Sequence, residues 1–313
     1  MRCRQCREKA VIFMPAHRLA LCKDHYPPWF RKQVQRAIDR FRMLRRGERV
    51  LVAVSGGKDS GALWHALHHL GYETEGLYMH LGIRVEGYSD QSYEAVRRLA
   101  EQLNRPLHVV DFREELGMGI DEVRGVTNRP PCSACGLSKR YHMNQAARRL
   151  GFSVIATGHN LDDEAVTLLN NVLAWNTEFM VRQAPVLPEE EGFVRKVKPL
   201  IFLEEKQTTV YALVEGVPFE RDECPFSVGS TNLVLKDVLY RLEAHSPGTK
   251  RRFVEGFFHW REQWLAEALR TKPDLRACTV CGYPTTGEVC AYCRLREQIQ
   301  RRRTVHAVSH PAG

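Results

Sequence analysis

The stretch VLVAVSGGKDSGALWHAL, residues 50–67, constrains the fold more than any other part of the chain. An apolar, β-branched run from Val50 to Val54 stops at a glycine pair, and a helical spacing of apolar residues starts at once. That pattern is a strand, a tight turn and a helix N-terminus, whose unpaired N–H groups form a ready anion site. Gly56 and Gly57 let the backbone approach a phosphate closely, and Ser55 and Ser60 add hydroxyl donors. The spacing differs from the GxxxxGK[ST] phosphate loop, because Lys58 and Asp59 directly follow the glycine pair.

The alternation continues from residue 49 to about 220. Strands are predicted at RVLVAV, TEGLYMHL, PLHVVDF, FSVIATGH, RKVKPLIF and VPFE, and helices over 58–70, 89–103, 133–150, 161–175 and 204–214. This order predicts an α/β fold with a doubly wound parallel sheet, in which ligands bind beyond the C-terminal ends of the strands. Chemistry-bearing residues fall at those ends. Ala53 and Val54 lead into the glycine turn, Met79 and His80 end the second strand, and Gly158 ends the fourth. The fourth is followed by GHNLDDEAVT, where Asp162 and Asp163 could cap the next helix. With Asp59 they could also hold Mg²⁺ beside a phosphate. Lys139 could offer its charge to a phosphate or a developing oxyanion.

The two ends differ from this body in charge and in cysteine content. Residues 1–49 hold 14 Lys/Arg against 4 Asp/Glu, residues 270–313 hold 8 against 3, and the middle holds 24 against 30. Basic ends around an acidic body point to a polyanion, with nucleic acid as the natural candidate. Seven of the ten cysteines lie at these ends. Cys3-x-x-Cys6 and Cys22-x-x-His25 flank a hairpin-forming VIFMPAHRLAL, and Cys278-x-x-Cys281 precedes Cys290-x-x-Cys293. Each set supplies four ligands at the spacing of a closed structural zinc site. His17 competes for the first set, but its spacing is wrong. The start MRCRQCREKA lacks the apolar core of a signal peptide, and no apolar run nears membrane-helix length, so a cytoplasmic protein is expected.

Chain organisation is therefore expected as follows: a zinc finger over 1–28, a basic linker helix over 29–48 running on to Gly47, and a nucleotide-binding domain over 49–224. A helical segment over 225–275 follows, then a second finger over 276–300 and a disordered basic tail over 301–313. In the linker, Phe30, Val34, Ile38 and Phe41 form an apolar stripe. Trp260 and Trp264 read as packing residues.

Three cysteines remain. Cys132 and Cys135 stand in RPPCSACGLSKRY before a helix, and Cys224 stands in DECPFS. A helix N-terminus lowers a thiol pKa, so a redox or persulfide pair is one reading. An iron–sulfur cluster held by all three, with one iron open to an outside sulfur, is a second. A third zinc site is the plain alternative.

Together, SGGKDS after a strand, RPPCSACGLSKRY, TGHNLDDEA and the late ECP between two zinc knuckles resemble the tRNA 2-thiouridine synthetases of the PP-loop ATP pyrophosphatase superfamily (the TtcA/TtuA group, nearest its TtuA branch). The resemblance covers nearly the whole chain. It implies a [4Fe-4S] cluster on Cys132, Cys135 and Cys224. It implies ATP held around residues Ala53 to Ser60 with Met79, His80 and Gly158, and activation by Ser55, Asp59, Lys139 and Asp163. It further implies Mg²⁺, a tRNA substrate thiolated at 5-methyluridine in the T loop, a ubiquitin-like thiocarboxylated sulfur carrier and a homodimer. A wobble-uridine thiolase and a non-catalytic zinc-bearing RNA-binding protein are the alternatives.

Overall fold

A computed structural model describes residues 1–127, 129–190, 192–222, 224–226, 231–264 and 274–309, with the side chains of 124, 264 and 303–309 outside the description. The first two strands, β1 (Ile12–Met14) and β2 (Leu19–Leu21), form the expected antiparallel hairpin between the two ligand pairs. Helix α1 (Tyr26–Arg40) carries prolines in its first turn, where a missing N–H costs nothing. Its stripe of Phe30, Val34 and Ile38 is buried. The Tyr26 hydroxyl donates to the Gln207 carbonyl at 2.6 Å, far along the chain. The helix stops well before Gly47. Arg42 takes a left-handed conformation (φ 49°), and the Met43 N–H returns to the Ile38 carbonyl at 2.9 Å, a Schellman-type ending.

Then β3 (Arg49–Val54), α2 (Lys58–His69), β4 (Glu73–His80), α3 (Tyr88–Leu103) and β5 (Leu107–Asp111) build half of the sheet. Two short helices, α4 (Phe112–Leu116) and α5 (Ile120–Val126), lead to α6 (Pro131–Arg149) and β6 (Val154–Thr157). Next come α7 (Leu161–Leu173), α8 (Thr177–Arg182), β7 (Val186–Leu187), β8 (Arg195–Val197) and α9 (Glu205–Val214). The strand order is β5-β4-β3-β6-β8-β7, parallel throughout except for β7 against β8. The doubly wound α/β architecture is thus the one expected. Its order switches direction between β3 and β6, which opens a crevice at their C-terminal ends.

Two expected strands differ. Strand β8 ends at Val197, two residues before Pro199, which has no N–H for a ladder. VPFE forms no strand; the Glu220 N–H there donates to the Gly56 carbonyl at 2.8 Å.

Alternation along β3 divides the interior. Val50, Val52 and Val54 face a core shared with the N-terminal hairpin, α1, α2, α7 and α9. Leu51 faces the opposite core, which holds residues of α5, α6 and the C-terminal cysteines. Helices α10 (Thr231–His245) and α11 (Thr249–Trp264) pack on α7. Trp260 packs against Phe257 with ring centroids 6.3 Å apart while staying 43% exposed, and the Trp264 side chain lies outside the described residues. A last hairpin, β9 (Arg276–Ala277) with β10 (Pro284–Thr285), precedes α12 (Ala291–Ser309). The tail expected to be disordered continues α12 through Ser309. Tyr292, Leu295 and Ile299 recur at helical spacing and are buried, which anchors the helix start. Among the described residues no helix is long and apolar enough to cross a membrane.

Candidate active site

Gly56 explains the shape of the loop after β3. Its φ is +86°, and an added Cβ would lie 2.5 Å from Ser92 Cβ on α3. The turn is closed by short side chains. Ser60 Oγ accepts from the Ser55 N–H at 3.0 Å and donates to the Gly57 carbonyl at 3.1 Å. From β6, Gly158 approaches so closely that a Cβ would lie 2.8 Å from the Ser60 backbone. The crevice between these two strand ends is a cavity of about 320 Å³, the size class of small-ligand pockets.

Of the sequence-derived candidates, Ala53, Val54, Ser55, Gly57, Asp59, Ser60, Met79, Lys139, Gly158 and Asp163 line this cavity. Gly56, Lys58 and His80 are not among its lining residues. Lys58 Nζ turns to Glu205 at 2.7 Å and Asp59 at 3.2 Å, and His80 Nε2 sits 3.1 Å from Asp90. Sequence reasoning missed Tyr78, Leu81, Tyr88, Ser92, Met143, Thr157 and His159 in the lining. Met143 stands one turn after Lys139 on α6, so helical spacing alone could have found it. One wall is apolar, from Met79, Leu81 and Met143, and suits a flat base. The loop end is polar and rich in N–H and hydroxyl donors, and suits phosphates.

The acidic residues divide. Asn160 caps α7, its side chain accepting from the Asp163 N–H at 3.1 Å, while Asp163 accepts from the Asn160 N–H at 3.1 Å. Asp163 therefore closes the capping box and still faces the cavity. Asp162 does neither. Buried, it pairs with Lys250 Nζ at 2.6 Å and accepts from the Glu205 N–H at 2.7 Å. This removes it from the carboxylate group expected to hold Mg²⁺ and leaves Asp59 and Asp163. Asp59 accepts from Thr208 Oγ1. Burial, with Asp59 nearby, pushes the Asp163 carboxyl up to about 6 despite the hydrogen bond from Asn160.

A folded-state pKa above the ordinary 3.8 means a stability contribution that is complete below that value and lost as pH rises through about 6. Asp163→Asn keeps the cap acceptor and removes the charge. It should raise unfolding free energy by about 2 kcal/mol at pH 8 and by much less at pH 4. Paired denaturant titrations at the two pH values check this; an equal effect at both would refute a strained carboxylate.

The central cysteines come together. Cys132 and Cys135 occupy the first turn of α6, and the Cys132 thiol donates to the Phe226 carbonyl at 3.3 Å, two residues past Cys224. Burial pushes the Cys135 thiol up, and Lys139 draws it back. Cys224 and Cys132 are close enough to act on it in turn. No disulfide joins the cysteines. The three thiols share one neighbourhood at the start of α6 but are not drawn within 4.8 Å of one another as the terminal sets are, so they suit a cluster larger than a single zinc ion. Lys139 belongs to both places, lining the cavity and acting on Cys135.

The terminal sets are equally coherent. Cys3, Cys6, Cys22 and His25 converge, as do Cys278, Cys281, Cys290 and Cys293, with ligand atoms within 4.8 Å of one another in each set. Cys6 and Cys22 sulfurs lie 3.5 Å apart, Cys22 Sγ and His25 Nδ1 3.2 Å, and Cys281 and Cys290 sulfurs 3.7 Å. Tetrahedral Zn²⁺ with ~2.3 Å bonds to sulfur sets ligand edges near ~3.8 Å, so both sets fit the ion. His17 is not a ligand; its ring meets Trp29 at 5.4 Å.

The sequence matches the PP-loop domain over residues 30–227 and the N-terminal LIM domain of the 2-thiouridine synthetase TtuA over residues 2–27. It is 46% identical over 308 residues to a tRNA-5-methyluridine(54) 2-sulfurtransferase of Thermus thermophilus, covering 96% of this chain and 93% of that one. Against the protein of the same name from Pyrococcus horikoshii, identity is 44% over 294 residues, covering 94% and 93%. The fold superposes on the U34-tRNA thiolase NcsA of Methanococcus maripaludis, solved with its [4Fe-4S] cluster. There the TM-score is 0.80 and the identity 25%, covering 95% and 96% of the two chains.

Proposed function

The chain belongs to the PP-loop tRNA 2-thiolation family, and from that premise we propose that it replaces the 2-oxygen of 5-methyluridine 54 in tRNA with sulfur, at the expense of ATP. The observation that carries this reading is the double position of Lys139. It lines the cavity and stands one turn after Cys135 on α6, so activation and sulfur delivery would share one reaction space.

A uridine 2-oxygen is a poor leaving group. Its attack on the α-phosphorus of ATP releases pyrophosphate and makes AMP the leaving group. The N–H groups at the start of α2, with Ser55 and Ser60, would hold the departing pyrophosphate. Asp59 and Asp163 would hold Mg²⁺ on it. Lys139 offsets charge on the adenylated oxygen. Cys132, Cys135 and Cys224 would carry the [4Fe-4S] cluster, which when bound supplies a place to hold sulfur for attack at C2. That attack expels AMP.

The terminal sets would each hold one Zn²⁺, and the basic ends would grip the tRNA backbone through phosphates. The target base lies in a folded loop and must leave its stack to reach the cavity. A ubiquitin-like thiocarboxylated carrier as sulfur source, a homodimer and a cytoplasmic setting complete the proposal. The wobble-uridine alternative is favoured by the U34 thiolase fold match, at 25% identity, and by a tRNA 2-thiolation protein NcsA at 32%. The 5-methyluridine enzymes are at 44–46%.

Incubation of anaerobically reconstituted protein with ATP, a sulfur source and unmodified tRNA tests the reading. The expected product on nucleoside analysis is 2-thio-5-methyluridine, with one pyrophosphate released per sulfur. Sulfur at the wobble base would transfer the assignment to the alternative, and no pyrophosphate at all would leave an RNA-binding protein.

A further inference from the structure

Helix α6 carries Cys132, Cys135 and Lys139 in its first half, and its next residues are the aromatic pair Tyr141 and His142. Both rest on the C-terminal knuckle. The Tyr141 ring stacks on Tyr292 with centroids 3.8 Å apart and planes 12° from parallel, and it meets Tyr283 at 4.9 Å. His142 Nε2 and the buried Tyr292 hydroxyl share a hydrogen bond of 2.9 Å. On its other side His142 packs on Phe112 at 5.3 Å. Tyr292 lies between Cys290 and Cys293, and Tyr283 follows Cys281 by two residues. The two aromatic supports are thus set by the ligand loops themselves.

We propose that the C-terminal knuckle is the positioning element of the sulfur-transfer centre, with Tyr141 and Tyr292 as its positioning residues. The metal fixes the loops that carry Tyr283 and Tyr292, these fix Tyr141 and His142, and α6 carries the register to Lys139 one turn below. The nucleotide loop between β3 and α2 is built from other elements, so the knuckle governs the cysteines and Lys139 without governing the loop. The consequence for activity rests on the thiolation reading above, while the structural coupling does not.

Two measurements separate them. In Cys281→Ser, bound zinc should fall from about two to about one per chain. Amide exchange over residues 131–142 should then rise roughly ten-fold, with α2 unchanged. This is read without nucleotide or RNA, so it stands even if no thiolated nucleoside is ever found. Unchanged exchange in α6 after zinc loss would overturn the proposal. In the second, Tyr292→Ala should keep about two zinc, yet lose about ten-fold in thiolation and bleach its reconstituted cluster faster in air. Tyr292→Phe keeps the stack and should recover most of both. Wild-type cluster absorbance and turnover in Tyr292→Ala would overturn the proposal as well. If that variant fails to fold, the exchange experiment decides.

Discussion

Cys224→Ala should lose thiolation by about two orders of magnitude or more, as much as Cys132→Ala, because a cluster held by three thiolates does not survive the loss of one. Cys224 lies about 90 positions from the Cys132–Cys135 pair, yet the Cys132 thiol reaches the carbonyl of Phe226, two residues past Cys224. ATP binding should persist, since the loop from Ser55 to Ser60 is closed by its own hydroxyls. Zinc should remain at about two per chain, because neither terminal set uses Cys224. A persulfide relay between Cys132 and Cys135 makes the opposite forecast: Cys224→Ala would be mild, and iron-free protein would thiolate in air. Iron and sulfide counted beside thiolated nucleoside distinguish the two, and full activity without iron would dismiss the cluster.

Lys250→Ala should cost about 3–5 kcal/mol of folding stability. Lys250 is wholly buried, with its ammonium 2.6 Å from Asp162 and 2.9 Å from Glu204. The Tyr240 ring lies 4.8 Å from it. Burial opposes its charge, but the two carboxylates outweigh burial and raise its pKa. The contact ties α11 to the starts of α7 and α9, the same turns that place Asp163 and Glu205. Removing the lysine leaves a buried Asp162 without its counter-charge. Urea denaturation measures the loss, and a change below about 1 kcal/mol would mean that Asp162 finds another partner or a proton. Because Asp162 sits one residue from Asp163, nucleotide affinity should weaken in the same variant at temperatures where it is still folded.

The sheet, its parallel order and the crevice were legible because each rests on short-range signals: β-branched runs, glycine turns and helical spacing. The two terminal ligand sets were legible for the same reason, since CxxC spacing carries its own geometry. What escaped depends on the third dimension. Asp162 and Asp163 are adjacent and alike in sequence, but α7 points one into the interior and the other at the cavity. Only the distant Lys250 shows which is which. Lys58 follows the glycine pair and reads as a phosphate ligand, yet Glu205 on a later helix draws it aside. Burial would raise Glu205, but Lys236 and Lys58 prevail and hold it down to about 2. VPFE has strand composition but no free sheet edge beside β8, which already pairs with β7. The basic tail has the composition of a disordered end, yet residues 301–309 continue a helix whose start buries Tyr292, Leu295 and Ile299, and 310–313 lie outside the described residues.

The hydrogen bond from Tyr26 to Gln207 joins residues 181 positions apart, and that separation has a temporal meaning. A ribosome adding about 5–20 residues per second leaves the N-terminal hairpin and α1 waiting roughly 10–40 s for the surface they pack on. During that interval α1 has α2 beside it but not α9, the later helix it also packs on. Cys3, Cys6, Cys22 and His25 are all available within the first 25 residues, and a metal bound there supplies folding free energy at once. Cys224 emerges long after Cys132 and Cys135. Assembly thus has an order written into the chain: zinc can be loaded on the nascent N-terminus, whereas the three cysteines proposed to hold the iron centre are all present only when the nucleotide-binding fold is nearly complete.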